Sequence, residues 1–338
     1  MTLNLRLVLF LKIKFCKYFI LLAILSLILT SCLHKNESKM KAVKLNEVTR
    51  SVFYAPQYVA LGLGFFEENG LEIKLNSAEG SDKTMTAILS RQADIGLLGT
   101  SAVLSVKSQG KENCPVLFSQ LTQRDGSFLV GRNENFKWDD LKGKSVIAGR
   151  KGGVPEMVFE HILKEKGIFD EVTLLNNIKF DLMGIAFSRG VGDYVCLFEP
   201  TAQVLKNEKS LFILESLGAS CEKISYTGYC CSPEYMQENP EVIKAFANAI
   251  FKAEKWVKTH SAEEIADVIL PYFISCSKEV LVNSLENYLS CDVWCEEPAF
   301  QENEFELLEK IMMQAGELEE KVAFNDVVEN KFALCAEG

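Results

Sequence analysis

From Val43 onward, short apolar runs alternate with segments in which apolar residues recur at helical spacing. That alternation is the signature of layered α/β structure. Val43–Val48, Leu71–Leu75, Ile95–Leu98 and Val116–Gln120 predict strands. Between the first two, a helix is expected from Pro56 to Leu63, ended by Gly64, then a short turn Phe65–Asn69 ended by Gly70. A second helix is expected near Lys83, after the capping-type residues Ser81 and Asp82. The same logic then repeats, with strands at Ser127–Gly131, Ser145–Gly149, Val172–Leu175, Asp193–Phe198 and Leu211–Glu215. Gly152-Gly153 announces a helix from Pro155, a residue well placed at a helix start. The two halves echo each other. Ala93-Asp94-Ile95-Gly96-Leu97-Leu98 leads into Ala102-Val103-Leu104, as Gly192-Asp193-Tyr194-Val195-Cys196-Leu197 leads into Ala202-Gln203-Val204-Leu205.

After a strand at Tyr226–Cys230 the pattern becomes helical. Asn239-Pro240-Glu241 supplies a cap, a proline and an acid facing the positive helix end. Val242, Ala245, Phe246, Ala249, Ile250, Ala253 and Val257 follow at helical spacing, and Ser261-Ala262-Glu263-Glu264 has capping-box spacing. Further helices are expected at Lys278–Leu289 and Glu302–Gln314. All of these read as packing, without chemistry.

The first 41 residues follow a different rule. A basic start precedes the uncharged run Tyr18–Leu29, too short for the roughly 20 residues of a spanning helix and suited to the 7–15 of a signal-peptide core. It ends in Leu29-Thr30-Ser31-Cys32, which resembles the lipobox of bacterial lipoproteins. We therefore expect a signal peptide over 1–31, acylation of Cys32 and a polar tether over 32–41. An uncleaved anchor extended through Leu3–Leu11 is the competing reading, and Lys12, Lys14 and Lys17 interrupt it.

Composition narrows the function. The 338 residues suffice for two lobes, and 48% hydrophobic with 24% charged residues is globular usage. The net charge of −10 hides an asymmetry: without Arg6, Lys12, Lys14 and Lys17, 32 basic residues face 46 acidic ones, or −14. So acidic a body lacks the clustered cations that nucleic-acid binding needs. Beyond Cys16 and Cys32, nine cysteines remain, an odd number without CxxC spacing, and the chain has only three histidines. A zinc site or disulfide framework has little support, and most of these thiols read as small core residues.

A family resemblance rests on Tyr54-Ala55-Pro56-Gln57-Tyr58-Val59-Ala60, on Gly64-Phe65-Phe66-Glu67-Glu68-Asn69-Gly70-Leu71-Glu72-Ile73 and on Gln92-Ala93-Asp94-Ile95-Gly96. Asp140-Leu141-Lys142-Gly143-Lys144 and Asn239-Pro240-Glu241 add to it. In that order these residues resemble the substrate-binding lipoproteins of ABC importers, in the class for nitrate, sulfonates, taurine and thiamine-precursor pyrimidines. The resemblance runs from Val43 to Val257, and more loosely to the end. It implies an α/β, two-lobed periplasmic-binding-protein-like fold of type II, with a ligand cleft between lobes and a helical C-terminal segment. Lobe one would comprise 42–122 and 226–338, and lobe two 123–225. It further implies a lipid-anchored monomer outside the bacterial cell membrane, serving an ABC permease and its ATPase, with no cofactor and no catalysis.

In open α/β sheets, ligands sit beyond the carboxyl ends of strands, where helix N-termini offer free N–H groups. That rule selects Phe53, Tyr54, Ser81, Asp82, Thr84, Gly99, Thr100 and Ser101 in lobe one. In lobe two it selects Gly152, Gly153, Val154, Phe198 and Glu199, with Tyr226 and Tyr229 flanking the return crossover. Ser81 or Asp82 reads equally as a simple N-cap, Phe53 and Tyr54 as core plugs, and His161 as structural. The rings favour a flat heterocycle such as a thiamine-precursor pyrimidine, with Glu199 as acceptor for a ring amine. Arg50, Arg124, Arg150 and Lys151 are the cations that would favour a sulfonate or nitrate instead. A thiamine-pyrimidine synthase of the same fold is the enzymatic alternative. It uses a pyridoxal phosphate lysine, histidines and a Cys-Cys-Cys-Phe-Cys segment, of which only Cys230-Cys231 is present here. A sensory surface lipoprotein is the third reading.

Overall fold

The computed structural model describes residues 40–334 apart from 112 and 210. The expected signal peptide, the Cys32 lipidation site, nearly all of the tether and Cys335 lie outside the described residues.

Ten strands form two sheets. β1 (Lys41–Glu47), β2 (Leu71–Ser77), β3 (Ile95–Gly99), β4 (Val116–Thr122) and β10 (Thr227–Cys231) make the first, in the order β2-β1-β3-β10-β4. β5 (Ser127–Gly131), β6 (Ser145–Ile147), β7 (Thr173–Leu174), β8 (Tyr194–Phe198) and β9 (Phe212–Ser216) make the second, in the order β7-β6-β8-β5-β9. Both follow one plan: a parallel trio, an antiparallel neighbour, then an edge strand. The burial pattern follows position. Central β3 and β10 are buried along their whole length, whereas edge strand β2 alternates between faces.

The sequence echo marks this repeat. Asp94, just before β3, accepts the backbone N–H of Lys44 in β1 at 2.8 Å. Asp193, just before β8, accepts both the backbone N–H and the hydroxyl of Ser145 in β6 at 2.8 Å. Those two bonds hold the Asp193 carboxyl below its ordinary range. An acid at the start of one strand thus brackets the start of its parallel neighbour in each sheet.

The helices that matter for the site are α1 (Ala55–Gly62), α2 (Ser81–Leu89), α3 (Thr100–Ser108), α4 (Val154–Glu165), α5 (Thr201–Lys209), α6 (Pro240–Thr259), α7 (Lys278–Ser290) and α8 (Glu302–Ala315). Of the periodic set, α6 buries Val242, Phe246, Ala249, Ile250, Ala253 and Val257, while Ala245 is half-buried at the edge of that face. Phe246 packs edge-on against Tyr229 with ring centroids 4.8 Å apart. Truncating a buried ring of this kind costs about 3–5 kcal/mol. The expected capping box is present, with Glu264 accepting the Ser261 N–H at 2.8 Å. Neither Ser81 nor Asp82 caps α2, however. Gly80 holds that position at φ 147°, a conformation that excludes side-chain-bearing residues, and Ser81 and Asp82 fall inside the helix.

The chain passes between sheets twice, and the two crossovers are bonded side by side. Ile224 N–H donates to Gln123 O at 2.9 Å, and Tyr226 N–H to Thr122 O at 3.2 Å. The C-terminal segment grips this junction, since Gln123 donates to the carbonyls of Val293 (N–H) and Trp294 (Nε2), both at 2.9 Å. α8 also reaches α4 beside the second sheet, where Lys164 Nζ donates to Gln314 O at 3.0 Å and His161 Nδ1 lies 2.9 Å from Gln314 Oε1. His161 is therefore a structural residue. The C-terminal helices do more than cover a core: they tie the two sheets together. Eight described cysteines are unbridged, and five of them are buried.

Candidate functional site

The site begins where β1 ends. Ser51 closes a tight turn by accepting the Phe53 N–H at 3.2 Å, and the turn sends the Phe53 ring into the junction of the two sheets. There it meets Phe198 at the end of β8 (centroids 5.3 Å), Tyr226 on the return crossover (5.5 Å) and Tyr288 of α7 (5.4 Å). Tyr54 lies 5.7 Å away, and the Trp294 indole donates to Phe53 O at 2.9 Å. Edge-to-face and tilted pairs of this kind each contribute about 0.5–1.5 kcal/mol beyond area burial. The box closes because residue 126 is glycine. A Cβ there would lie 2.4 Å from the Phe53 ring and 2.9 Å from that of Phe198.

Beside this box, three helix starts share one space. From the Cβ direction of Gly99, Ser101 Oγ is 3.5 Å away, Ser81 Oγ 3.9 Å and a Val154 methyl 3.6 Å. The N-caps of α2, α3 and α4 are Gly80, Gly99 and Gly153, none of which supplies a side-chain cap. Without a side-chain acceptor at the cap, first-turn N–H groups of these helices can donate to an external oxygen or nitrogen. Thr100 N–H donates to Tyr226 O at 3.0 Å, joining this end to the rings. Thr100 Oγ1 is buried without a protein partner.

The structure thus brings Phe53, Tyr54, Phe198 and Tyr226 together, and Ser81, Thr100, Ser101 and Val154 with them. It gives other candidates different work. Thr84 turns its hydroxyl back to Gly80 O at 3.1 Å and its methyl toward β3, so it faces the sheet. Gly152, at φ 76°, donates to Glu156 at 3.2 Å and abuts Glu317 beyond α8, while Gly153 caps α4. Tyr229 donates to Gln57 at 3.1 Å in the core below.

Glu199 was expected to meet a ligand amine. Instead it accepts from Gln203 N–H (2.9 Å), Ser284 Oγ (3.3 Å) and Asn287 Nδ2 (2.7 Å), so it caps α5 and ties it to α7. Burial still pushes its carboxyl up, against those bonds. The expected cations are also engaged. Arg50 binds Glu47 (3.1 Å) and Tyr272 O (3.4 Å), and Arg124 Nη1 binds the carbonyls of Gly218 (2.9 Å) and Cys221 (2.8 Å). Arg150 and Lys151 are exposed. Sequence reading missed Tyr288 and Trp294, because nothing local distinguishes them from core residues. Gly126 follows the end of β4, where a glycine reads as a turn residue and its contact with the rings is set by the tertiary fold.

Comparison with known proteins gives one family. The model of the NMT1/THI5-like family matches residues 52–264. The Bacillus subtilis protein named "Putative binding protein YtlA" is 40% identical over 303 residues, covering 88% of this chain and 91% of that one. The 4-amino-5-hydroxymethyl-2-methylpyrimidine phosphate synthase THI11 of Saccharomyces cerevisiae is 26% identical over 224 residues, 61% of this chain and 63% of its own. Among solved structures, the alkanesulfonate-binding protein SsuA of Xanthomonas axonopodis pv. citri, bound to MOPS, superposes with a TM-score of 0.68. It shares 12% identity and is matched over 86% of this chain and 98% of its own, which establishes the fold expected from the sequence.

Proposed function

Because the chain belongs to the NMT1/THI5-like family, we propose that it is the solute-binding protein of an ABC importer, capturing a flat, amine-bearing heterocycle between its lobes and handing it unchanged to a permease. A thiamine-precursor pyrimidine is the leading ligand. The observation that carries this reading is the ring box of Phe53, Phe198, Tyr226 and Tyr288, assembled from both sheets and α7 where the crossovers meet. Clefts at such domain junctions are where ligands of this class bind and where hinge closure acts. On this reading the lobes are 42–122 with 226–338, and 123–225. Acylated Cys32 anchors the protein outside the membrane, and Cys32→Ala should leave an unprocessed precursor that takes up no labelled fatty acid.

A sulfonate remains the second reading, favoured by the three uncapped helix starts beside the rings. Against it, Arg50 and Arg124 are spent on internal partners, and a buried acid, Asp125, lies among the same elements. Catalysis of the synthase type gains no support from Cys230 and Cys231, which are fully buried in a central strand away from the ring box. The test is a thermal-shift screen over aminopyrimidines, flavins, sulfonates and nitrate, followed by mass spectrometry of the released compound. A ligand at a hundredfold excess over its Kd adds about 2.7 kcal/mol of stability, which such a screen detects. A pyrimidine hit recovered intact is expected. A hit confined to sulfonates sinks the heterocycle, and release of an altered product sinks pure binding.

A further inference from the structure

Beside the ring box one buried carboxylate oxygen has no hydrogen-bond partner. Asp125 follows β4 in the first crossover and is 1% exposed. Its Oδ1 accepts the N–H of Ser127 at 2.7 Å and the Ser127 hydroxyl. Its Oδ2 is equally buried and has no hydrogen-bond partner. The adjacent cation is no counter-ion, since the Arg124 guanidinium turns to the carbonyls of Gly218 and Cys221. The Tyr226 phenol approaches the carboxyl as a donor without completing a bond to Oδ2, and the Tyr288 phenol and the thiols of Cys196 and Cys221 are the other groups around it. The next residue, Gly126, is the one pressed between Phe53 and Phe198.

Leaving a buried acceptor unmade costs free energy, and a native fold keeps such a group where something else fills it. Resting on the binding function proposed above, we infer that Asp125, and not Glu199, is the acid that reads the ligand, its Oδ2 accepting an N–H from an exocyclic amine on a ring held in the aromatic box. The distinction is structural. Glu199 has its lone pairs engaged by three donors of its own chain, whereas Asp125 keeps one oxygen open beside the rings. Tyr226 unites the ends of the site, because its ring packs on Phe53 while its backbone O accepts from Thr100. An amine at the Asp125 end therefore places the opposite edge of a small ring toward the free helix starts and Thr100 Oγ1. The ligand class this selects is an aromatic heterocycle with an amine donor on one edge and acceptors on the other.

The test is calorimetry with 4-amino-5-hydroxymethyl-2-methylpyrimidine, its 4-oxo counterpart and its 4-dimethylamino counterpart. Wild type should prefer the amino compound to both others by about tenfold or more, as a site built around a donor does. Asp125→Asn, which can donate to an oxo group, should lower the amino-to-oxo preference at least about tenfold; a merely structural role would weaken all three compounds alike. An unchanged ratio in a folded Asp125→Asn overturns the assignment and leaves the binding function standing. Should that variant not fold, wild type alone decides: equal affinity for the amino and dimethylamino compounds overturns the inference. Wild type that binds none of the three, but binds a sulfonate, overturns the heterocycle reading and this inference together.

Discussion

Glu47, at the end of β1, and Asp125, in the crossover that leaves β4 of the same sheet, are equally cut off from water, at 0% and 1% exposure. Their surroundings are opposite. Glu47 accepts from Ser77 Oγ (2.5 Å) and Arg50 Nε (3.1 Å) on one oxygen, and from Tyr58 Oη (2.6 Å) and Gln57 Nε2 (2.7 Å) on the other. Gln57 in turn accepts from Tyr229, so the network runs from the surface to the core of lobe one. Asp125 has Ser127 on one oxygen and nothing on the other. A closed ring of donors makes a carboxylate part of the fold, while an open oxygen among aromatic rings marks a place for something from outside.

If that contrast is sound, the two acids respond oppositely to removal. Glu47→Ala orphans four donors and the Arg50 charge, and should cost about 3–5 kcal/mol in urea unfolding. The protein that remains folded should bind its ligand normally. A loss of affinity without a loss of stability would reverse the roles assigned to the two acids.

The next effect bears on the rings. Gly126→Ala drives a Cβ into Phe53 and Phe198 and should destabilise by about 1–3 kcal/mol, the usual cost of overpacking. Adding Phe53→Leu should restore much of the melting temperature but not the ligand affinity, because the wall itself is then lost. Recovery of both by the double variant would remove Phe53 from the site.

How much of this was legible in the sequence depends on range. Strand positions follow from apolar runs bounded by turn residues, and Ser127–Gly131 is observed with its predicted limits. Phe53, Phe198 and Tyr226 were found because strand ends and crossovers are local features that topology turns into a common site. Tyr288 lies in a helix whose period says only that one face is buried, Trp294 lies in the irregular stretch after it, and both reach the ring box through the tertiary fold. The two acids show the same limit. Glu199 at a buried strand end predicts an acceptor, but which donors reach it depends on α7, more than eighty residues away in the chain. Asp125 carries no local mark in the sequence, and only the fold shows that its Oδ2 lacks a hydrogen bond.

The open acid also titrates in a telling way. Burial raises the Asp125 carboxyl above its ordinary 3.8, against the lowering by Ser127 and Tyr226. The native state therefore holds a proton that the unfolded chain releases, and stability from this group falls as pH rises above 3.8. Asp125→Asn removes that slope. Without ligand, the variant should match wild type near pH 4 and exceed it by about 1–2 kcal/mol at pH 8, the cost of an unpaired buried acceptor. A wild type that loses no stability between these pH values would place a donor on Oδ2 and close the contrast.

The smallest effect belongs to an intermediate case, Glu156 in the first turn of α4. It is buried, and each of its oxygens has one donor: Asn176 Nδ2 at 2.7 Å and Gly152 N–H at 3.2 Å. Burial, then sharing with Glu160 one turn on, pushes it up to about 7 from 4.5, against the pull of Gly152 and Lys151. The two glutamates titrate together, so the value belongs to the pair. Because the folded value lies above the unfolded one, the stabilisation is complete below 4.5 and is lost as pH rises through about 7. Glu156→Gln keeps an acceptor for Gly152 and removes the proton linkage. We expect a gain of about 1 kcal/mol at pH 8, less than the full shift implies because the amide can face Asn176 with the wrong group. At pH 4.5 the gain should vanish. Thermal unfolding at the two pH values measures it, and an equal gain at both would show that the substitution acts through packing, leaving Asp125 as the open acid whose titration bears on the ligand.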